Sequence, residues 1–105
     1  MSDDEKLQQL RRDYACTLAV TMGDHLGRPR EQLFELKSLA EGGPTSSEFS
    51  NSEANQLVAI AWQIALQYPD VDASQVLANI EFPASDDIQK AAQFAVNLIQ
   101  PVARI

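Results

Sequence analysis

One cysteine, one histidine, one tryptophan and four glycines are all that 105 residues contain, and each scarcity removes a class of protein. A lone Cys16 has no partner for an intramolecular disulfide, so the chain is expected to work in a reducing compartment. His25 and Cys16 cannot complete a zinc ligand set, and no phosphate loop, nucleophile elbow or zinc spacing occurs anywhere. No apolar run approaches the ~20 residues needed to span a bilayer. The opening Ser2-Asp3-Asp4-Glu5 lacks the basic and apolar regions of a secretory signal. A soluble cytoplasmic protein with no membrane contact is the expectation.

Basic residues are also few. Eight Lys and Arg face fifteen Asp and Glu, giving a net charge of −7. Lys6, Arg11, Arg12, Arg28, Arg30 and Lys37 all lie before residue 42, which leaves the rest acidic apart from Lys90 and Arg104. A surface that tracks phosphates is basic, so direct nucleic-acid binding is not expected. A helix-turn-helix reader is rejected separately. Its turn has about 3 to 4 residues, whereas 42–52 is a long connection followed by a helix that exposes glutamines.

The chain does have core material. Hydrophobic residues make up 45% of it, and a chain of this length forms one domain, 1–105, without staples. The organising stretch is 53–68, uncharged between Glu53 and Asp70 and filled by Leu57, Val58, Ile60, Ala61, Trp62, Ile64, Ala65, Leu66 and Tyr68. On a helical wheel Leu57, Ile60, Ala61, Ile64, Ala65 and Tyr68 form a wide apolar face that Val58, Trp62 and Leu66 extend. Such a helix must be buried on several sides. The fold expected is therefore an all-α, single-domain bundle of about five helices around this central one, with the first and fifth beside it.

The remaining elements follow from punctuation. Ser2 and Glu5 make a capping box for a long first helix whose stripe is Leu7, Leu10, Tyr14, Leu18, Met22 and His25, stopped by a left-handed Gly27. Pro29 suits the first turn of a second helix ending near Glu41, with Leu33, Leu36, Leu39 and Ala40 inward and Phe34 to one side. Gly42-Gly43-Pro44 and the polar residues to Ser52 form a flexible loop, 42–52, with Phe49 beside its end. Ser50 and Glu53 would cap the central helix, and Pro69 ends it. Asp72 with Gln75, stapled by Val71 and Val76, starts a short fourth helix bounded by Pro83. Ser85 caps a fifth, with Ile88, Ala91, Ala92, Ala95, Leu98 and Ile99 inward until Pro101.

Few residues suggest chemistry. Asp70, Asp72, Ser74, Leu77 and Glu81 match the spacing of an EF-hand calcium loop, but Gln75 stands where that loop requires glycine and Pro83 breaks the exiting helix. Helix capping explains the same residues. Asp24 and His25 are helix neighbours that do not face one another, so they make no acid/base pair by themselves. Cys16 falls opposite Leu7, Tyr14 and Leu18, with nothing nearby to lower its pKa, and reads as a small packed thiol. Arg11-Arg12 and Arg28-x-Arg30 are interleaved with Asp13, Glu31 and Glu35, the pattern of a solvated face with local ion pairs. No catalytic, cofactor-binding or metal residues are assigned, and no cofactor is expected.

What remains is a small acidic protein-interaction module, of adaptor, chaperone-like or inhibitor type, binding a protein partner through a groove between helices. The alternatives are an acidic DNA mimic and a helical protein that holds a small ligand. An enzyme is not expected. Val58, Trp62 and Leu66 lie on one flank of the central helix, so either other helices or a homodimer must cover them.

Overall fold

The computed structural model describes residues 3–42, 53–68, 71–79 and 85–99 of the chain. They form five helices, α1 (Asp3–His25), α2 (Arg30–Glu41), α3 (Glu53–Ala65), α4 (Ala73–Asn79) and α5 (Asp86–Leu98), with no strand among the described residues. The protein is an all-α bundle of five helices. Ser2, the loop from Gly43 to Ser52 with Phe49 and Ser50, and Pro69, Pro83 and Pro101 lie outside the described residues.

Gly27 ends α1 as its position requires. It adopts φ 79°, its N–H donates to the Asp24 carbonyl and the Arg28 N–H donates to the Gly23 carbonyl, each at 3.0 Å. That is a Schellman stop, which only glycine enters without strain. Pro29 stands one position earlier than expected. It is the N-cap of α2, extended at ψ 160°, and its carbonyl accepts from the Gln32 N–H at 2.9 Å. The turn is short enough to lay α2 antiparallel against α1.

Two other starts are as anticipated, with one exchange of partners. Asp72 Oδ1 accepts from the Gln75 N–H at 3.2 Å, but the Asp72 N–H donates to Gln67 Oε1 at 2.7 Å. Gln67, from the turn after α3, thus supplies the half of the capping box assigned to Gln75. Val76 is buried and Val71 packs half-buried against the core. Ser85 Oγ accepts from the Ile88 N–H at 3.2 Å and starts α5.

The core runs through α1, α2, α3 and α5. Leu57 through Trp62, Ile64 and Ala65 are all buried on α3, which is covered chiefly by α1 and α2. This corrects the expected arrangement, since α5 leans mainly on α1 and only narrowly on α3. Three neighbours surround α1, so its buried residues are not one stripe: Ala15, Cys16, Ala19 and Gly23 join Tyr14, Leu18 and Met22. Leu10 is 47% exposed, and His25 is exposed as well. For Leu10 the reason is length. At 1.5 Å per residue α1 is about 34 Å long and α2 about 18 Å, so α2 runs out before reaching the first turns of α1. On α5 the stripe is Ile88, Ala91, Ala92, Ala95 and Val96; Leu98, expected inward, sits at its edge and is 63% exposed.

Gly23 lets α1 and α2 touch. A Cβ there would stand 2.5 Å from Leu36 Cδ1 and 2.9 Å from Leu33 Cδ2. Leu36 is itself buried and cannot retreat freely. Trp62 fixes α3 against α2, because its indole N–H donates to the Ala40 carbonyl at 2.8 Å. That carbonyl is one of the last four of α2, which the helix ladder leaves unpaired. At the other end Arg28 grips Glu53 by two contacts of 2.6 Å, Nε to Oε2 and Nη2 to Oε1.

Gly23→Ala should lower stability by up to ~2 kcal/mol, the ~1–3 kcal/mol of overpacking less the ~1 kcal/mol helix advantage of alanine. A gain in urea midpoint would mean that the two leucines yield. Trp62→Phe, which leaves the Ala40 carbonyl buried without its donor, should cost about 1–3 kcal/mol by the same measurement.

Candidate functional site

Clefts open between the helices. One of about 360 Å³ lies between α2 and α3 and is lined in part by Arg28, Gln32, Glu35 and Glu53. Its guanidinium and one of its carboxylates already satisfy one another in the Arg28–Glu53 pair. A shallower cleft of about 230 Å³ lies where Cys16, Thr17 and Val20 of α1 meet Lys37 of α2. Neither presents a convergent set of free polar groups.

The third cleft differs. Its volume is about 280 Å³, and among the described residues it is lined by Gln8, Arg11 and Arg12 of α1 and by Trp62 and Leu66 at the end of α3. The antiparallel course of α1 and α3 brings these residues together. Arg28, just past the end of α1, meets the start of α3, while Arg11, a few turns into α1, donates from Nη2 to the Tyr68 carbonyl beyond the end of α3 at 3.3 Å. The cleft lies alongside the part of α1 that α2 is too short to cover. Trp62 and Leu66, one turn apart, make its apolar side, and Leu66 is 48% exposed.

Neither arginine of this cleft makes an ion pair among the described residues. Asp13 accepts from Gln9 Nε2 at 2.9 Å instead of pairing with either arginine. The only ion pair among the described residues is Arg28–Glu53. Arg11 Nε is shut off from solvent without an acceptor, which is unusual for a buried donor. The expected pattern of local ion pairing therefore fails at Arg11 and Arg12. Arg28 does pair, though with Glu53, 25 residues away, instead of with a helix neighbour.

Tyr14 lies one turn beyond Arg11. It is 7% exposed, its ring meets that of Tyr68 at 5.5 Å and 58°, and its hydroxyl has no hydrogen-bond partner. Burial, with a smaller contribution from Tyr68, pushes its pKa up to about 12.

The other residues weighed for chemistry are dispersed. His25 stacks on Phe94 of α5 at 4.4 Å and 24°, away from any second ligand. Asp24 is exposed beside it. Cys16 is buried against α2, its Sγ 3.9 Å from the Lys37 carbonyl, and burial first, then Glu41 and Asp13, raise its pKa. That environment makes it a packing thiol and not a nucleophile. Asp72 caps α4, while Asp70 and Glu81 of the calcium-like spacing lie outside the described residues. Among the described residues no group of three or more His, Cys, Asp and Glu could hold a metal ion. No protein-family model matches the chain, and neither curated proteins nor solved structures include a significant match to it. The chemistry of the cleft is what bears on function.

Tyr14→Phe removes a buried hydroxyl that bonds to nothing, so stability at pH 8 should be unchanged or higher by up to ~1 kcal/mol. The folded pKa of about 12 lies above the ordinary value of 10.0, so the neutral phenol favours the folded state. That contribution is complete below pH 10 and is lost as pH rises toward 12. Urea midpoints at pH 8 and 11 should fall further for the native sequence than for Tyr14→Phe; parallel losses would place the alkaline sensitivity elsewhere.

Proposed function

We propose that the protein is a small acidic interaction module, of adaptor, chaperone-like or inhibitor type, that receives one side chain of a protein partner in the α1/α3 cleft. The observation that carries this is the pairing of an apolar wall, Trp62 and Leu66, with Arg11 and Arg12 of α1, neither of which makes an ion pair among the described residues. Interfaces are built in this way, around a desolvated apolar anchor with a polar rim. Tryptophan and arginine are the residues most enriched at such anchors.

A DNA mimic would present carboxylates here, yet the rim carries Arg11 and Arg12. Catalysis has no support in the arrangement, because the unpartnered groups do not surround a nucleophile or a base. Action in the cytoplasm belongs to the same proposal. Among the described residues no helix is long and apolar enough to cross a membrane.

Self-association needs less of the central helix than its sequence suggests. Val58 and Trp62 are 0% and 5% exposed within one chain, covered by its own helices, which leaves Leu66 alone of that flank. Phe34, Phe94 and Leu98 are the other exposed large residues on α2 and α5. Scattered residues of this kind are normal on a monomer.

Affinity capture from the source cells, run in parallel with Leu66→Asp and Phe34→Asp, tests the cleft. Both residues are substantially exposed, at 48% and 63%, so both variants should fold. A partner retained by the native chain and by Phe34→Asp, but lost by Leu66→Asp, is the expected outcome. Equal retention by both variants would exclude this cleft.

A further inference from the structure

We infer that the segment seated in the α1/α3 cleft is an acidic peptide stretch of the partner, with one bulky apolar side chain against Trp62 and Leu66 and flanking carboxylates on Arg11 and Arg12. The inference rests on the docking role proposed above and adds the chemistry of what docks.

Charge carries it. In a protein of net charge −7 the expected local potential is negative, and an arginine pair on its surface would ordinarily be neutralised by adjacent acids. Here Asp13 keeps its charge but turns its carboxylate to the Gln9 amide, and neither Arg11 nor Arg12 makes a close ion pair among the described residues. The first-turn acids Asp3, Asp4 and Glu5 lie six or more residues from Arg11, about 9 Å along the helix, which is roughly one Debye length at physiological salt. Short-range pairing at the cleft is therefore governed by the guanidiniums and not by the global charge.

Geometry agrees with charge. Arg11 is already held, through Nη2 on the Tyr68 carbonyl, while its Nε is a buried donor without an acceptor. A guanidinium held in place loses little freedom on meeting a carboxylate, which it can bond through the N–H groups left at its Nη end. Arg12 is exposed one residue on, free to take a second carboxylate. A basic partner would meet two like charges at the rim, and a neutral one would leave both cations unanswered. Trp62 and Leu66 accept the apolar side chain between them.

Two synthetic helical peptides with a single Leu anchor, one flanked by Glu and one by Lys at the same positions, test this on the full chain. Trp62 is the only tryptophan, so its indole N–H, held on the Ala40 carbonyl by a ring that lines the cleft, gives one resolved NMR signal. The Glu peptide should shift that signal and bind at least tenfold more tightly than the Lys peptide, and the margin should shrink in 0.5 M salt. Arg12→Glu, at an exposed position, should reverse the preference while leaving the indole signal of the free protein in its folded position. If the Lys peptide binds as well or better at the same indole, the charge inference fails and the docking cleft stands. If neither peptide moves the indole signal, both fail.

Discussion

An indole cannot be buried unless its N–H finds an acceptor, and the place where Trp62 finds one fixes most of this bundle. The Ala40 carbonyl it uses belongs to the end of α2, where a helix has acceptors left over. Each group removes the other's unsatisfied polarity, so the bond sets how far along α3 the end of α2 must lie. Gly23 then sets how closely α2 approaches α1, and Arg28 with Glu53 holds the opposite end. With α1, α2 and α3 locked in this way, α5 has only the remaining side of α1 to pack on, and α4 bridges α3 to α5.

The cleft is a by-product of that arrangement. Among the described residues α2 is about half as long as α1, and the early turns of α1 line the cleft with the end of α3. Into that cleft project side chains that a tighter bundle would have shed to solvent or paired. The result is a small desolvated wall beside cations that make no close ion pair among the described residues, set by helix placement and not by any special motif.

Local chemistry was legible in the sequence, and long-range partnership was not. The Gly27 stop, the Asp72 and Ser85 caps and the burial of Leu57, Ile60 and Ile64 all depend on neighbours within a few residues, and each stands where the pattern put it. A helical wheel assumes one buried side. On α1 that assumption fails, so Cys16, Ala19 and Gly23 turn inward toward α2 although small residues give little hydrophobic signal. Leu10 and Leu98 err in the opposite direction: strongly apolar, on or beside the expected stripe, and uncovered because no neighbouring helix reaches them. The cleft could not be read at all. Gln8, Arg11 and Arg12 lie 50 or more residues from Trp62 and Leu66, and no spacing rule connects them.

The tight turn at Gly27 also bears on the order in which the bundle assembles. Cys16 and Lys37, which meet across α1 and α2, are 21 residues apart, whereas Arg11 and Tyr68, which join α1 to the end of α3, are separated by 57. Loop-closure entropy for that ratio favours the nearer pairing by ~0.9 kcal/mol, roughly fourfold in population. The α1–α2 hairpin therefore closes at the lower entropic cost, and the pairing of α1 with the end of α3, which builds the cleft, closes at the higher one.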